Sequence, residues 1–353
     1  MRKKIIALVG TLGLALAACS PASDTGDAEK PQVTTAFYPL TYLVNEIAGD
    51  SVEVTDLTPS GGDAHGLELS PSDIEKMQKS DLVLYVAKLT PSIDDAVAAA
   101  DVKSLNVAEH ADLLPYAKLT AETAPGGEND DFFDSDDRDD NADDHDDYDD
   151  YDDHHADVDD DHDDHADHDD DDDHGHHHDH GVYDPHFWTD PERMAEVAPV
   201  IAAELGKINP AQKDEYMERA KALKEQLDNL SDKYETAFEA KTCRTNAFIV
   251  SHEAFGYLAE DFDLVQIGVS GIDPEIEPSP ARIKEITDLA KKYQIDTLFA
   301  TSDAELRSMQ SIAEESNLKV AVLDPAATQR DPNKDYLAVL EENFKRLLSA
   351  NGC

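Results

Sequence analysis

Four histidines, His65, His110, His186 and His252, stand apart from the other eleven in this chain, which crowd between residues 145 and 180. Imidazole is the commonest protein ligand for Zn2+, and three of them in a tetrahedral arrangement leave one place open. His65 falls in PSGGDAHGLELSPSD, a glycine-rich stretch between an apolar run and a helical pattern. His252, in IVSHEAFGYLAEDF, directly follows a run apolar enough to be a central strand. His186, in YDPHFWTDP, precedes a helix that opens at Pro191. These three occupy equivalent loop positions, which points to a joint metal site. His110, in NVAEHADLLP, also follows a candidate strand, but a lone histidine is ordinarily a surface or core residue, and that reading is kept for it. Glu253 follows His252, yet no histidine stands four positions after His252, so the H-E-x-x-H pattern of zinc proteases is absent. Phe187 and Trp188 read as packing that holds the His186 loop, and Asp63 and Glu68 as residues that orient the His65 loop or cap the next helix.

Loops of this kind must hang on a regular scaffold. From Pro31 short β-branched runs alternate with helical patterns: VTTAF, VEVTDL, DLVLYV and KSLNVA, with PLTYLVNEIAG and PSDIEKMQKS between them. The same alternation returns late in the chain with NAFIVS, DLVQIGV, DTLFAT and KVAVLD, and with helices near 281–293, 304–317 and 334–349. Strands alternating with helices imply parallel sheets with crossover helices. In such sheets ligands bind beyond the carboxyl ends of the strands. Between the two series lies PERMAEVAPVIAAELGKI, then a pattern from about Pro210 to Lys241 whose apolar residues Tyr216, Ala220, Leu223, Leu227, Leu230, Tyr234 and Phe238 step by three or four. A helix of roughly 30 residues would span about 45 Å, enough to cross a two-lobed molecule. The fold class is therefore α/β, with two doubly wound lobes joined by a long rigid linker helix and a cleft between them. The glutamates and prolines of IDPEIEPSP read as turn and cap chemistry.

Charge is distributed very unevenly. The formal net charge is −50, and between Glu128 and Gly181 there are 29 acids against one arginine, leaving 28 negative charges there and 22 elsewhere. Even the remainder is acidic, which argues against nucleic acid and for a cationic partner. The tract itself has no core-forming pattern and reads as a disordered insertion looping out of a finished fold. Its aspartates and histidines, His174, His176, His177, His178 and His180 above all, suit weak, multi-site capture of divalent metal. Dense aspartates also favour imidazolium, which cannot ligate, so that capture should be lost on acidification.

The chain opens MRKKIIALVGTLGLALAACS, a basic start, an apolar stretch of signal length and then small residues. Leu16-Ala17-Ala18-Cys19 looks like a lipobox, with Cys19 the lipidated residue and SPASDTGDAEKP a flexible tether behind it. Export permits disulfides, and the two cysteines left, Cys243 and Cys353, are expected to pair.

FYPLTYLVNEIAGDSVEVTDLTPSGGDAHGLELSPSD, YDPHFWTDPERM, FIVSHEAFGYLAEDFDL, GVSGIDPEIEPSPARI and VAVLDP, in this order, resemble the ZnuA-like zinc-binding family of solute-binding proteins of ABC transporters. The likeness runs from about Pro31 to the C-terminus, with the acidic tract inserted. It implies a lipid-anchored, extracytoplasmic, monomeric receptor that captures Zn2+ between its lobes and hands it to an ABC permease and its ATPase. It carries metal ligation to His65, His186 and His252, with Asp324 or a water as the fourth ligand. Relatives selective for manganese typically place a glutamate after the strand DTLFAT, where this chain has Thr301, which favours zinc over Mn2+. The expected division is a signal peptide over 1–18, a tether over 19–31, an N-terminal lobe over 32–205 with its insertion at 128–181, a linker helix over 206–241 and a C-terminal lobe over 242–353. A manganese receptor, a zinc hydrolase and an extracellular metal buffer or adhesin are the rival readings. No base motif for a hydrolase is evident in the sequence.

Overall fold

The computed structural model describes residues 29–62, 64–100, 102–116, 119, 183–239, 242–271, 277–303 and 305–353. The acidic tract, its histidines and Cys19 lie outside these. No helix among the described residues is long and apolar enough to cross a membrane.

The eight apolar runs form eight strands in two sheets. The first contains β1 (Gln32–Thr35), β2 (Glu53–Asp56), β3 (Leu82–Tyr85) and β4 (Ser104–Asn106), in the order β2-β1-β3-β4. The second contains β5 (Ala247–Val250), β6 (Val265–Gly268), β7 (Thr297–Ala300) and β8 (Lys319–Val322), in the order β6-β5-β7-β8. Every pairing is parallel, and each sheet repeats the same winding. The strand order reverses between the first and third strand of each set, which makes that gap the switch point where ligands lodge. Strands β5, β6 and β7 are buried at every residue, as uninterrupted apolar runs in a parallel sheet require, while β2, β4 and β8 begin exposed.

Helices α1 (Tyr38–Ala48), α2 (Pro71–Lys79) and α3 (Pro91–Ala99) cross between the first strands. Ser70 opens α2 with a reciprocal capping box to Asp73, the local signal that the serine–proline start carries. Then come α4 (Pro191–Ile208) and α5 (Lys213–Glu239). The long helical pattern therefore does not start at residue 206. Residues 206–208 end α4, because Pro210 disfavours helical backbone at Asn209, whose φ is −133° and ψ 74°. After a single 3-10 turn, α5 runs for 27 residues, about 40 Å. It lies along α4 and α1, with Tyr216, Ala220, Leu223, Leu227 and Tyr234 buried on one face, and the Tyr216 hydroxyl meets Ser51 Oγ at 2.6 Å.

In the second lobe α6 (Gly256–Asp261), α7 (Pro280–Lys292), α8 (Leu306–Ser316) and α9 (Tyr336–Ala350) complete the winding. Ser279 caps α7 by accepting from Arg282 N at 3.2 Å. One apolar core includes Leu43 and Val83 of the first lobe, Leu223 of α5, and Phe248, Leu323 and Phe344 of the second. A separate core, with Ile267, Ile286 and Leu298, fills the other face of the second sheet. The last helix reaches across the junction: Tyr234 of α5 stacks on Phe344 at 3.6 Å, and Tyr336 lies 5.2 Å from Tyr42 of α1. A Cys243–Cys353 disulfide fastens its end beside the start of β5, 110 residues apart in sequence. The chain-entropy model values such a closure at about 5 kcal/mol, as an upper figure.

Candidate metal centre

Each of the three histidines is delivered by a different device. His65 sits on the loop after β2, where Gly61 takes a φ of +76° that other residues resist. Thr90 Oγ1 donates to Ala64 O at 2.6 Å, and Ser60 Oγ donates across the cleft to Gln329 O at 2.6 Å, so both lobes hold this loop. His186 follows the short bridge between Pro115 and Tyr183. Its ring Nδ1 lies 2.7 Å from Asp184 Oδ1, which also accepts from His186 N at 2.8 Å. Carboxylates only accept, so His186 carries its proton on Nδ1 and presents Nε2 as a lone pair. His252 follows β5, at the switch point of the second sheet, with Nδ1 3.3 Å from Thr301 Oγ1. Thr189 Oγ1 donates to Ala254 O at 2.9 Å, tying the His186 segment to the His252 loop.

All three rings are buried, 6%, 1% and 6% exposed for His65, His186 and His252. One ligand atom from each lies within 4.8 Å of the other two, and no further His, Cys, Asp or Glu of the described residues joins the group. His65 Nε2 and His186 Nε2 are 3.0 Å apart. Two ligands at roughly 2.0–2.1 Å from a tetrahedral Zn2+ would be about 3.3 Å apart, so a few tenths of an ångström of spreading admits the ion. The rings front a cavity of about 260 Å3, which Trp188, Thr301, Glu305 and Arg330 also line.

Asp324 does not join them. Its Oδ1 accepts from Ala326 N at 2.9 Å and faces Arg330 Nη1 at 3.6 Å, and its backbone N donates to Asn343 Oδ1 at 3.0 Å. Burial raises its pKa while Arg330 opposes that rise. The carboxylate is spent on its own turn and on a guanidinium. His110 is exposed, in a 3-10 turn away from the group, and Glu68 is exposed as well. Asp63 lies outside the described residues. Phe187 and Trp188 pack as expected: Trp188 Nε1 donates to Pro325 O at 2.9 Å, and its ring lies 4.6 Å from Phe37.

Three residues of this region escape a reading by ligand type. Asp184 precedes His186 by two, a D-x-H spacing that could have marked it. Arg330 donates to Thr301 O at 2.6 Å and has no sequence signal at all. Glu305 lies four residues beyond Thr301, and its carboxylate turns back to accept from Thr301 N at 3.1 Å.

The profile of the family described as zinc-uptake complex component A, periplasmic, matches residues 33–350. The chain belongs to that family. Among its relatives is the zinc-binding lipoprotein AdcA of Streptococcus pneumoniae, 27% identical over 98% of this chain and 60% of the relative, so the chain spans well under two thirds of that protein's length. A solved structure of the laminin-binding protein Lmb of Streptococcus agalactiae, titled bifunctional with adhesin and metal transporting activity, superposes with a TM-score of 0.68. It is 28% identical and covers 91% of this chain and 99% of its own. A Zn(II)-bound variant of AdcAII from Streptococcus pneumoniae gives the same TM-score of 0.68 at 25% identity, covering 92% and 99% of the two chains. The family fold is thus two parallel four-stranded α/β lobes, as the element pattern implies.

Proposed function

We propose that this protein is an extracytoplasmic Zn2+ receptor that takes the ion between its lobes on His65, His186 and His252 and delivers it to a membrane importer. The observation that carries this reading is the convergence of three buried imidazoles, two from the first lobe and one from the second, on one point. Nitrogen-rich sites of low coordination number suit zinc better than the oxygen-preferring Mn2+. Thr301 in place of a glutamate adds to that preference. The membership of the family, and the zinc in the names of the relatives, support the same cargo.

The fourth position belongs to water in this reading, with Asp324 as the holder of Arg330. A permease with its ATPase is the receiving partner, and acyl groups on Cys19 keep the monomeric receptor at the membrane surface. The histidines of the tract, including His174, His176, His177, His178 and His180, collect the ion loosely before the cleft takes it.

The test is zinc affinity measured in competition with a chelator strong enough to strip the weak sites. His65→Ala, His186→Ala and His252→Ala should each weaken the tight site by orders of magnitude. His110→Ala should leave it unchanged, and Asp324→Ala should alter it far less than the histidine variants. Tight binding that survives in any one of the three would remove that residue from the site.

A further inference from the structure

Glu305 stands at the N-cap position of α8, yet its side chain makes no bond to that helix. An N-cap side chain ordinarily serves the first amides of its own helix. This one instead points back to the mouth of the second sheet, where Ser251 Oγ donates to its Oε2 and Thr301 Oγ1 donates to its two oxygens at 2.9 and 2.8 Å. Thr301 N adds a third donor at 3.1 Å. These bonds link the segments that follow β5 and β7, beside the His252 ring.

The direction of each bond to Glu305 follows from one fact. A carboxylate offers lone pairs only, whereas a hydroxyl has a single hydrogen and two acceptor sites. Glu305 therefore claims the hydrogen of Thr301, while the single hydrogen of Ser251 is shared between Glu305 and the Thr301 oxygen 3.1 Å away. The Thr301 oxygen can then only accept, and the ring atom facing it at 3.3 Å is His252 Nδ1. That nitrogen must carry the hydrogen, which leaves Nε2 as the lone pair. We propose that Glu305, acting through the Thr301 hydroxyl, is a positioning residue that fixes His252 in the Nδ1–H tautomer with Nε2 turned to the ion; this rests on reading His252 as a ligand.

His186 receives the same service directly from Asp184. The second lobe inserts a hydroxyl between carboxylate and imidazole, so the orienting charge lies farther from the metal. Groups that orient a ligand histidine are worth about 10–100-fold in metal affinity.

The experiment combines affinity with a spectroscopic signature, on the full chain. Long-range 1H–15N correlation of 15N-histidine-labelled, metal-free protein reports which ring nitrogen bears the hydrogen, and the His252 signals are those lost in His252→Gln. The expected result is an Nδ1–H pattern for His252 that is lost in Thr301→Val and in Glu305→Ala. Zinc affinity should fall roughly 10–100-fold in both variants. Thr301→Ser should restore affinity and pattern together. The double variant should bind no more weakly than the worse single, because both changes cut the same chain of bonds. An Nε2–H pattern in the native protein overturns the proposal, as do wild-type affinities in both single variants or effects that multiply. If His252→Ala keeps the tight site, the ligand assignment itself has failed, and the tautomer spectrum still reports on the relay.

Discussion

At the scale of single residues, the site depends on which nitrogen each imidazole offers. Asp184 settles this for His186 from a position 1% exposed, where no water competes for its hydrogen bonds. Asp184→Asn keeps the shape but can donate as well as accept, so the His186 tautomer is no longer enforced. Zinc affinity should drop by about 10–100-fold, with the melting temperature of the metal-free protein little changed; an unaltered affinity would show that Asp184 serves only the backbone. The three histidines were legible in the sequence because each sits in a loop beside a regular element that the pattern announces. Asp324, offered with water for the fourth place, faces Arg330 six residues on, a pairing that no local signal announces because only the folded turn brings the two together. Glu305 escaped for a related reason: a carboxylate four residues from a strand end looks like a helix start, and nothing local says that it folds back.

Among the elements, the contact between α4 and α6 holds the two lobes at a buried cluster of charges. Arg193 donates to Asp190 Oδ2 at 2.6 Å and to Asp261 at 3.3 and 3.4 Å, and its guanidinium lies 4.5 Å from the centre of the Tyr257 ring. With Glu260 3.8 Å from the guanidinium as well, three carboxyls around one arginine leave an excess of negative charge. Burial, together with Asp190, pushes the Asp261 pKa up from 3.8 to about 8. The folded protein thus keeps a proton that the unfolded chain gives up near pH 4. Between roughly pH 4 and 8 the native state binds more protons, and stability from this group falls as pH rises. Asp261→Asn should therefore raise the melting temperature relative to wild type at pH 8 and have little effect at pH 5. A difference of equal size at both pH values would discard the account. The elements were the most legible part of the sequence: all eight strands fall on the apolar runs. What was missed, α3 and the six-residue α6, is short, and its faces bury too few residues to impose a period.

For the whole molecule, the decisive feature is that a single apolar core runs through both lobes and the α4–α5 pair. Swinging the lobes apart would expose that core, at about 25 cal/mol for every Å2 uncovered. Zinc loading should therefore shift loops more than lobes. Small-angle scattering of protein lacking residues 128–180 should superpose with and without zinc, and calorimetric titration of that protein should still find one tight site. A clear contraction on loading would refute the shared-core argument, and loss of the tight site would move the metal into the tract. The two-lobed plan was legible from the repeated alternation of strands and helices. The fusion of the lobes was not, since sequence periodicity shows which face of an element is apolar and not which neighbour covers it.

The bridge between Pro115 and Tyr183 has an engineering consequence. Leu114 O accepts from Asp184 N at 3.1 Å, and the Tyr257 hydroxyl donates to Asp184 O, so the described chain on either side of the insertion, at Leu114–Pro115 and at Tyr183–Asp184, is anchored side by side. The entropy of closing a flexible loop grows only with the logarithm of its length, by about 0.6 kcal/mol per doubling. The port thus accepts passengers of almost any size, including a folded reporter whose own termini lie close together. Such a graft would be attached two residues upstream of Asp184 and four upstream of His186, so the optical output of a fluorescent passenger would be wired to the occupancy of the cleft.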